Sequence, residues 1–183
     1  LYEVNALGEA QYVMHSAIQK KTGELQVSQD KLASLVDTGI KLSREQDRNK
    51  LLRTILFGAR DIGPCAAATL FLKTEQNTLV FAMRTSVYTE TRFDMSGTKK
   101  FSDESGLKSI SLLTVPMSPR EGEVTGAIQL INALDPETGN PIPFSAELVG
   151  FVEALAAQAA VALENQNLIE AQKLLMDALI KLI

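Results

Sequence analysis

One cysteine and one histidine occur in 183 residues, and tryptophan is absent. A lone Cys65 excludes any internal disulfide. With a lone His15 it also excludes a clustered Cys/His metal centre, and it suits a reducing compartment. The same scarcity removes the usual nucleophile and base pairs, there is no glycine-rich phosphate loop, and acidic neighbours such as Asp103-Glu104 fall in a polar stretch that reads as solvated. An enzymatic role is therefore the weakest reading of this chain, and no catalytic activity is expected of it. Positive charge is also in short supply: the formal net charge is -4, which provides no field to gather nucleic-acid phosphates. The longest apolar runs, around 154–163 and 63–72, fall short of the roughly 20 residues needed to cross a bilayer, so no transmembrane helix and no membrane contact are expected. The chain opens at Leu1 without a charged-then-apolar leader, which reads as a piece of a longer protein with no secretory signal and a cytoplasmic location.

What is present suffices for one core: 45% of the residues are hydrophobic and 22% charged. From Leu1 to about Leu42, apolar residues at Val4, Leu7, Met14, Ile18, Leu25, Leu32, Leu35 and Leu42 follow a near-helical spacing, with breaks expected at Gly8, Gly23 and Gly39. Ser43 and Gln46 form a candidate capping box for a second helix with Leu52, Ile55, Leu56, Ala59 and Ile62 on one face, ending at Gly63-Pro64. Cys65 to Leu72 and Thr78 to Thr85 read as a β-hairpin, and Ser111 to Met117 with Glu123 to Leu134 as a second. Between them, Val87 to Gly106 is a polar connection with a possible helical turn at Ser102 to Gly106. Ser145 is a good N-cap, flanked by the staple pair Phe144 and Val149, for a last helix of some 38 residues, about 57 Å long. Its positions Leu148, Val152, Leu155, Ala159, Ala162, Gln166, Ile169, Lys173, Met176, Ile180 and Ile183 alternate in steps of four and three. That seam calls for a partner helix, with Gln166 and Lys173 as polar core positions.

Several strings carry a resemblance. Ser111-Leu112-Leu113-Thr114-Val115-Pro116-Met117, Gly122 to Asn132, Asp135-Pro136-Glu137-Thr138-Gly139 and Pro143 to Leu148 running into Glu153 to Asn165 are similar to the C-terminal half of a GAF domain. The likeness extends over roughly Val36 to Asn165 and implies an α+β fold with a GAF/PAS-like central antiparallel sheet, helices on one face, and long terminal signalling helices. It divides the chain into an N-terminal helical linker (1–42), a GAF domain (43–165) and a coiled-coil connector (166–183) to an output domain. Leu168-Ile169-Glu170-Ala171-Gln172 and Ala178 to Ile183 further resemble the connector to an HD-GYP phosphohydrolase, a metal-dependent class acting on cyclic di-GMP in bacterial signalling proteins. Two departures matter. The connection between Met83 and Phe93 is shorter than in the family, which points to an altered loop at Ser86-Val87. In cyclic-nucleotide binders a lysine follows the strand-end asparagine and an aspartate the later phenylalanine; here Asn132 precedes Ala133 and Glu147 follows Phe144, which argues against such a ligand.

The resemblance places a ligand pocket on the sheet face opposite the terminal helices, with Thr69, Phe71, Phe81, Met83, Thr114 and Gln129 as candidate lining, although alternation alone does not fix the face. Phe93 and Phe101, around Ser96-Gly97-Thr98-Lys99-Lys100, are candidates for closing over an anionic ligand, against the plainer reading of a solvated lysine pair. His15 reads as a surface residue. Cys65 lacks the context of bilin-attaching relatives and reads as a buried, inert thiol, so no chromophore, metal or defined cofactor is expected beyond an unidentified small molecule. Two functions follow: a homodimeric sensor that binds a small molecule and controls an attached output domain through its helices, or a ligand-free structural dimerisation module for which Ala66, Ala67 and Ala68 merely allow close packing.

Overall fold

The computed structural model describes residues 2–86, 108–119 and 123–182. Its elements are α1 (Tyr2–Arg44), α2 (Arg48–Ile62), β1 (Cys65–Lys73), β2 (Leu79–Ser86), β3 (Leu112–Met117), β4 (Gly126–Leu134), β5 (Pro141–Ile142) and α3 (Ala146–Lys181). The chain divides into two compact units, residues 1–33 and 34–183. The first is helical. Its exposed surface is tied by short-range pairs, Lys21 with Glu24 at 3.1 Å and Gln26 with Asp30 at 3.0 Å, and Leu7, Met14, Ile18, Leu25 and Leu32 all lie exposed. The breaks expected at Gly8, Gly23 and Gly39 do not occur. A glycine adds only about 1 kcal/mol of local cost, which does not end a helix of otherwise good formers.

In the second unit the hydrophobic effect assembles two layers. Leu35, Thr38 and Leu42 from the end of α1, one face of α2 (Leu51, Leu52, Ile55, Leu56, Ala59, Ile62) and the first half of α3 (Leu148, Val152, Leu155, Ala156, Ala159, Ala160, Leu163) are buried. Apart from Thr38, they form one cluster with Ala68, Leu70, Met83, Val115, Met117, Ile128 and Leu130 of the sheet. The α1–α2 boundary lies further along than the Ser43/Gln46 pattern suggests. Ser43 Oγ donates back to Ile40 O inside α1, and Asp47 caps α2 by accepting from Lys50 N at 3.0 Å. Ser145 caps α3 as expected, accepting from Leu148 N.

The sheet is antiparallel throughout, with order β2-β1-β4-β3 and the two-residue β5, which the sequence reading missed, on the end of β4. Both hairpins therefore exist, and β1 and β4 pair at the centre. α3 corrects one expectation: it contains an 18-residue window of mean hydropathy 1.6, long and apolar enough by composition to cross a membrane. Its first half is apolar because it is the core helix of this unit, packed on α2 and the sheet.

Candidate functional site

Strand register separates the two faces of the sheet. Side chains of directly paired residues share a face, and successive residues alternate. Ala68, Leu70, Met83, Val115, Ile128 and Leu130 point to the helices. The opposite face is built in rows across the strands. Arg84, Thr69, Gln129 and Thr114 form one row, since Thr69 pairs with both Arg84 and Gln129, and Gln129 with Thr114. Phe81, Phe71, Ala127 and Pro116 form the next, and Ala67, Ile131 and Leu112 flank the polar row on its other side.

Thus the register brings Thr69, Phe71, Phe81, Thr114 and Gln129 together on the face away from the helices. Phe71 and Phe81 stack edge to face, 6.2 Å apart at 86°. Gln129 Nε2 donates to Thr114 Oγ1 at 3.3 Å, orienting the amide. Met83 does not join them. A β-bulge between Leu70 and Phe71 pairs Phe71 with Phe81 and Leu70 with Met83, leaving Ala82 as the extra residue. Met83, fully buried, therefore turns into the helix-packed core, and Arg84 takes the place on the face away from the helices that strict alternation would give to Met83. Arg84 was missed; its signal was a bulge that sequence spacing does not reveal. Half-buried, its guanidinium is held below its ordinary pKa by desolvation, yet arginine keeps its charge at neutral pH. Phe93, Phe101, the Ser96 to Lys100 stretch, the Ser102 to Gly106 turn, and Asp103-Glu104 lie outside the described residues.

Two polar clasps frame the sheet. Asn132, 2% exposed and in the left-handed region at φ 55°, accepts from Ile110 N (2.7 Å) and Ser111 N (3.1 Å) and donates through Nδ2 to Lys108 O (2.9 Å). Ser111 Oγ in turn donates to Ile142 O of β5 at 2.7 Å. On the helical side, Gln166 is buried and donates to Gln46 O at 2.6 Å, while Arg48 donates to Asn167 Oδ1 at 2.8 Å. This corrects the reading of Gln166 as an interhelical core position: its amide satisfies the α1–α2 turn of its own chain. Beyond it, Leu168, Leu174, Leu175, Met176, Leu179 and Ile180 are exposed. A groove of about 410 Å³ between α1 and α3, edged by Val36, Ile40 and Val161, runs alongside.

Cys65 is buried, and desolvation pushes its thiol from 9.0 up to about 11, partly opposed by the charge of Arg60. The thiol is expected to resist a disulfide reagent in the native protein and to react only on unfolding. Because the folded pKa is the higher one, its contribution to stability is complete below pH 9 and is lost as pH rises through about 11. Urea unfolding at stepped pH should show this alkaline limb, some 2 to 3 kcal/mol deep, and Cys65→Ala should flatten it. His15 is exposed, and among the described residues no three His, Cys, Asp or Glu side chains converge.

Residues 47–163 match the family model described as GAF domain. No curated protein sequence matches the chain. Among solved structures, the fold is similar to the GAF domain of a phosphoenolpyruvate-protein phosphotransferase from Coxiella burnetii (14% identity, TM-score 0.58, covering 79% of this chain and 98% of that one). It is also similar to the Acinetobacter counterpart (15%, 0.54, 75% and 95%) and to residues 122 to 287 of a methyl-accepting chemotaxis protein (16%, 0.56, 73% and 99%).

Proposed function

The chain belongs to the GAF domain family, and from that premise we propose that it binds a small molecule on the sheet face away from the helices and, as a homodimer, passes the bound state through α3 to an attached output domain. GAF domains are sensory and regulatory modules of signalling proteins and are generally non-catalytic. The observation that carries the ligand reading is the polar row Arg84, Thr69, Gln129, Thr114 set between apolar rows, since ligand sites combine mostly apolar walls with a few placed polar groups. The dimer reading rests on the apolar residues of α3 beyond Gln166, which lie exposed; the same stretch in a second copy is their matching partner. The similarity of Leu168 to Gln172 and Ala178 to Ile183 to an HD-GYP connector supports a cyclic di-GMP phosphohydrolase as the output, with residues 1–42 and 166–183 as the helical connections.

Signalling would then be a population shift between two helix arrangements, with a coupling of about 1 to 3 kcal/mol, or roughly five- to 150-fold in output. A second reading, the ligand-free dimerisation module, is favoured by Ala67 and Thr69, which are at most 4% exposed on this face. Native mass spectrometry separates the two. A dimer carrying extra mass that denaturation releases supports the sensor. A dimer without it, together with no thermal shift across a metabolite panel, supports the module. A monomer at micromolar concentration overturns the dimer.

A further inference from the structure

Resting on the homodimer reading above, we infer that two copies of this chain pair in parallel along one stripe of α3, made of Gln158, Val161, Asn165, Leu168, Gln172 and Leu175, with each polar residue of the stripe meeting its own counterpart across the two-fold axis. The neighbouring stripe through Leu148, Leu155, Ala162 and Gln166 is already spent, because these side chains are buried in the core of their own chain. A second helix could not lie along it at the root without displacing α2 and the sheet. About 100° round the helix the surface is open. Gln158 is half-buried there, and Val161, Asn165, Leu168, Gln172 and Leu175 are all exposed, with Leu179 and Leu182 continuing the line. These positions alternate in steps of three and four for more than three heptads, about 36 Å, a run long enough to signal a coiled coil.

The root of this stripe coincides with a cavity. The groove of about 410 Å³ is lined by Val36, Gly39 and Ile40 of α1 and by Gln158, Val161 and Asn165 of α3. Gln158 Oε1 is buried there without a hydrogen-bond partner among the described residues, and its amide leans on Gly39, where a Cβ would come within 2.5 Å of that oxygen. A buried acceptor left unpaired is costly, and the amide of the same residue in a second copy supplies the missing donor. The order of residue types fixes the direction. Gln158, Asn165 and Gln172 recur every seven residues, with Val161, Leu168 and Leu175 between them. In a parallel pair polar layers face polar layers and apolar layers face apolar ones; an antiparallel pair would set each amide against a Val or Leu. A parallel pair also delivers both C-terminal ends of α3 to the same side.

The test places charges at Asn165, whose exposure lets the fold survive the change. Asn165→Glu and Asn165→Lys are each expected to dimerise about tenfold or more weakly than the unmodified chain in sedimentation equilibrium, since like charges then face each other. An equimolar mixture of the two should regain a dimer of close to unmodified affinity. Thermal melts check that both variants fold. In a Cys65→Ala background, Leu168→Cys should close into a disulfide-linked dimer under mild oxidation, whereas Lys173→Cys, on the core-side stripe, should not. A dimer that neither charge weakens, one that weakens without rescue on mixing, or linkage through Lys173→Cys in preference to Leu168→Cys overturns this seam and leaves the homodimer standing. A monomeric unmodified chain overturns the homodimer and the seam with it.

Discussion

Asn132→Ala is expected to lower the unfolding free energy by about 3 to 4 kcal/mol. The amide ties Ile110 N, Ser111 N and Lys108 O together, and it is buried, so water cannot take its place without opening β3 from β4. Its backbone adds a second cost. At φ 55° asparagine is tolerated, whereas alanine pays about 1 kcal/mol or more for the left-handed region. In a chain of this size each kcal/mol moves Tm by about 2 to 4 °C, so a drop of about 10 °C should be seen by calorimetry. Asn132→Gly separates the terms: it relieves the backbone and loses only the hydrogen bonds, so it should recover about 1 kcal/mol. A loss below 1 kcal/mol for the alanine variant would mean that the clasp is solvated and not structural.

Gly126→Ala should cost about 3 kcal/mol or more, a large effect for one methyl group. A Cβ at this position would meet the backbone oxygen of Phe71 and the terminal methyl of Met117. The methionine can swing aside. The carbonyl cannot, because Phe71 sits in the central β1–β4 pairing opposite Ala127. Shortening the obstacle with Met117→Leu is therefore expected to leave the cost of Gly126→Ala essentially intact, and urea midpoints of the single and double variants check this. Rescue by the double variant would show that the side chain, not the strand, sets the limit.

Elements announced by strong local chemistry were legible in the sequence. Ser145 with its staple pair marks the start of α3, Gly63 ends α2, and β-branched or apolar runs bounded by turns locate four strands. What failed depends on contacts between distant segments. Ser43 and Gln46 have the right types for a capping box, but α1 continues through Arg44 and takes Ser43 inside it, and Asp47 caps α2 instead by accepting from Lys50 N. Gln166 occupies a position of the heptad seam, yet its hydrogen-bond partner lies 120 positions away in the α1–α2 turn, which no periodicity reveals. On β2, period-two reasoning selects Phe81 and Met83 together; the bulge against Leu70 and Phe71 shifts the phase, exchanges Met83 for Arg84, and so changes the electrical character of the face.

The clasp between Gln166 and Gln46 sits where α3 stops being buried, and its place there turns a single helix into a root and a lever. Everything before it is gripped by the core; the roughly 15 residues after it, tied near their start by Arg48 to Asn167 and Glu170, extend about 22 Å as an exposed helix. With a fulcrum at that point, a tilt of the root by about 10° sweeps the far end through about 4 Å. A rearrangement too small to disturb the packing of Leu155 or Ala159 thereby becomes a displacement comparable to a change of contacts at the next domain.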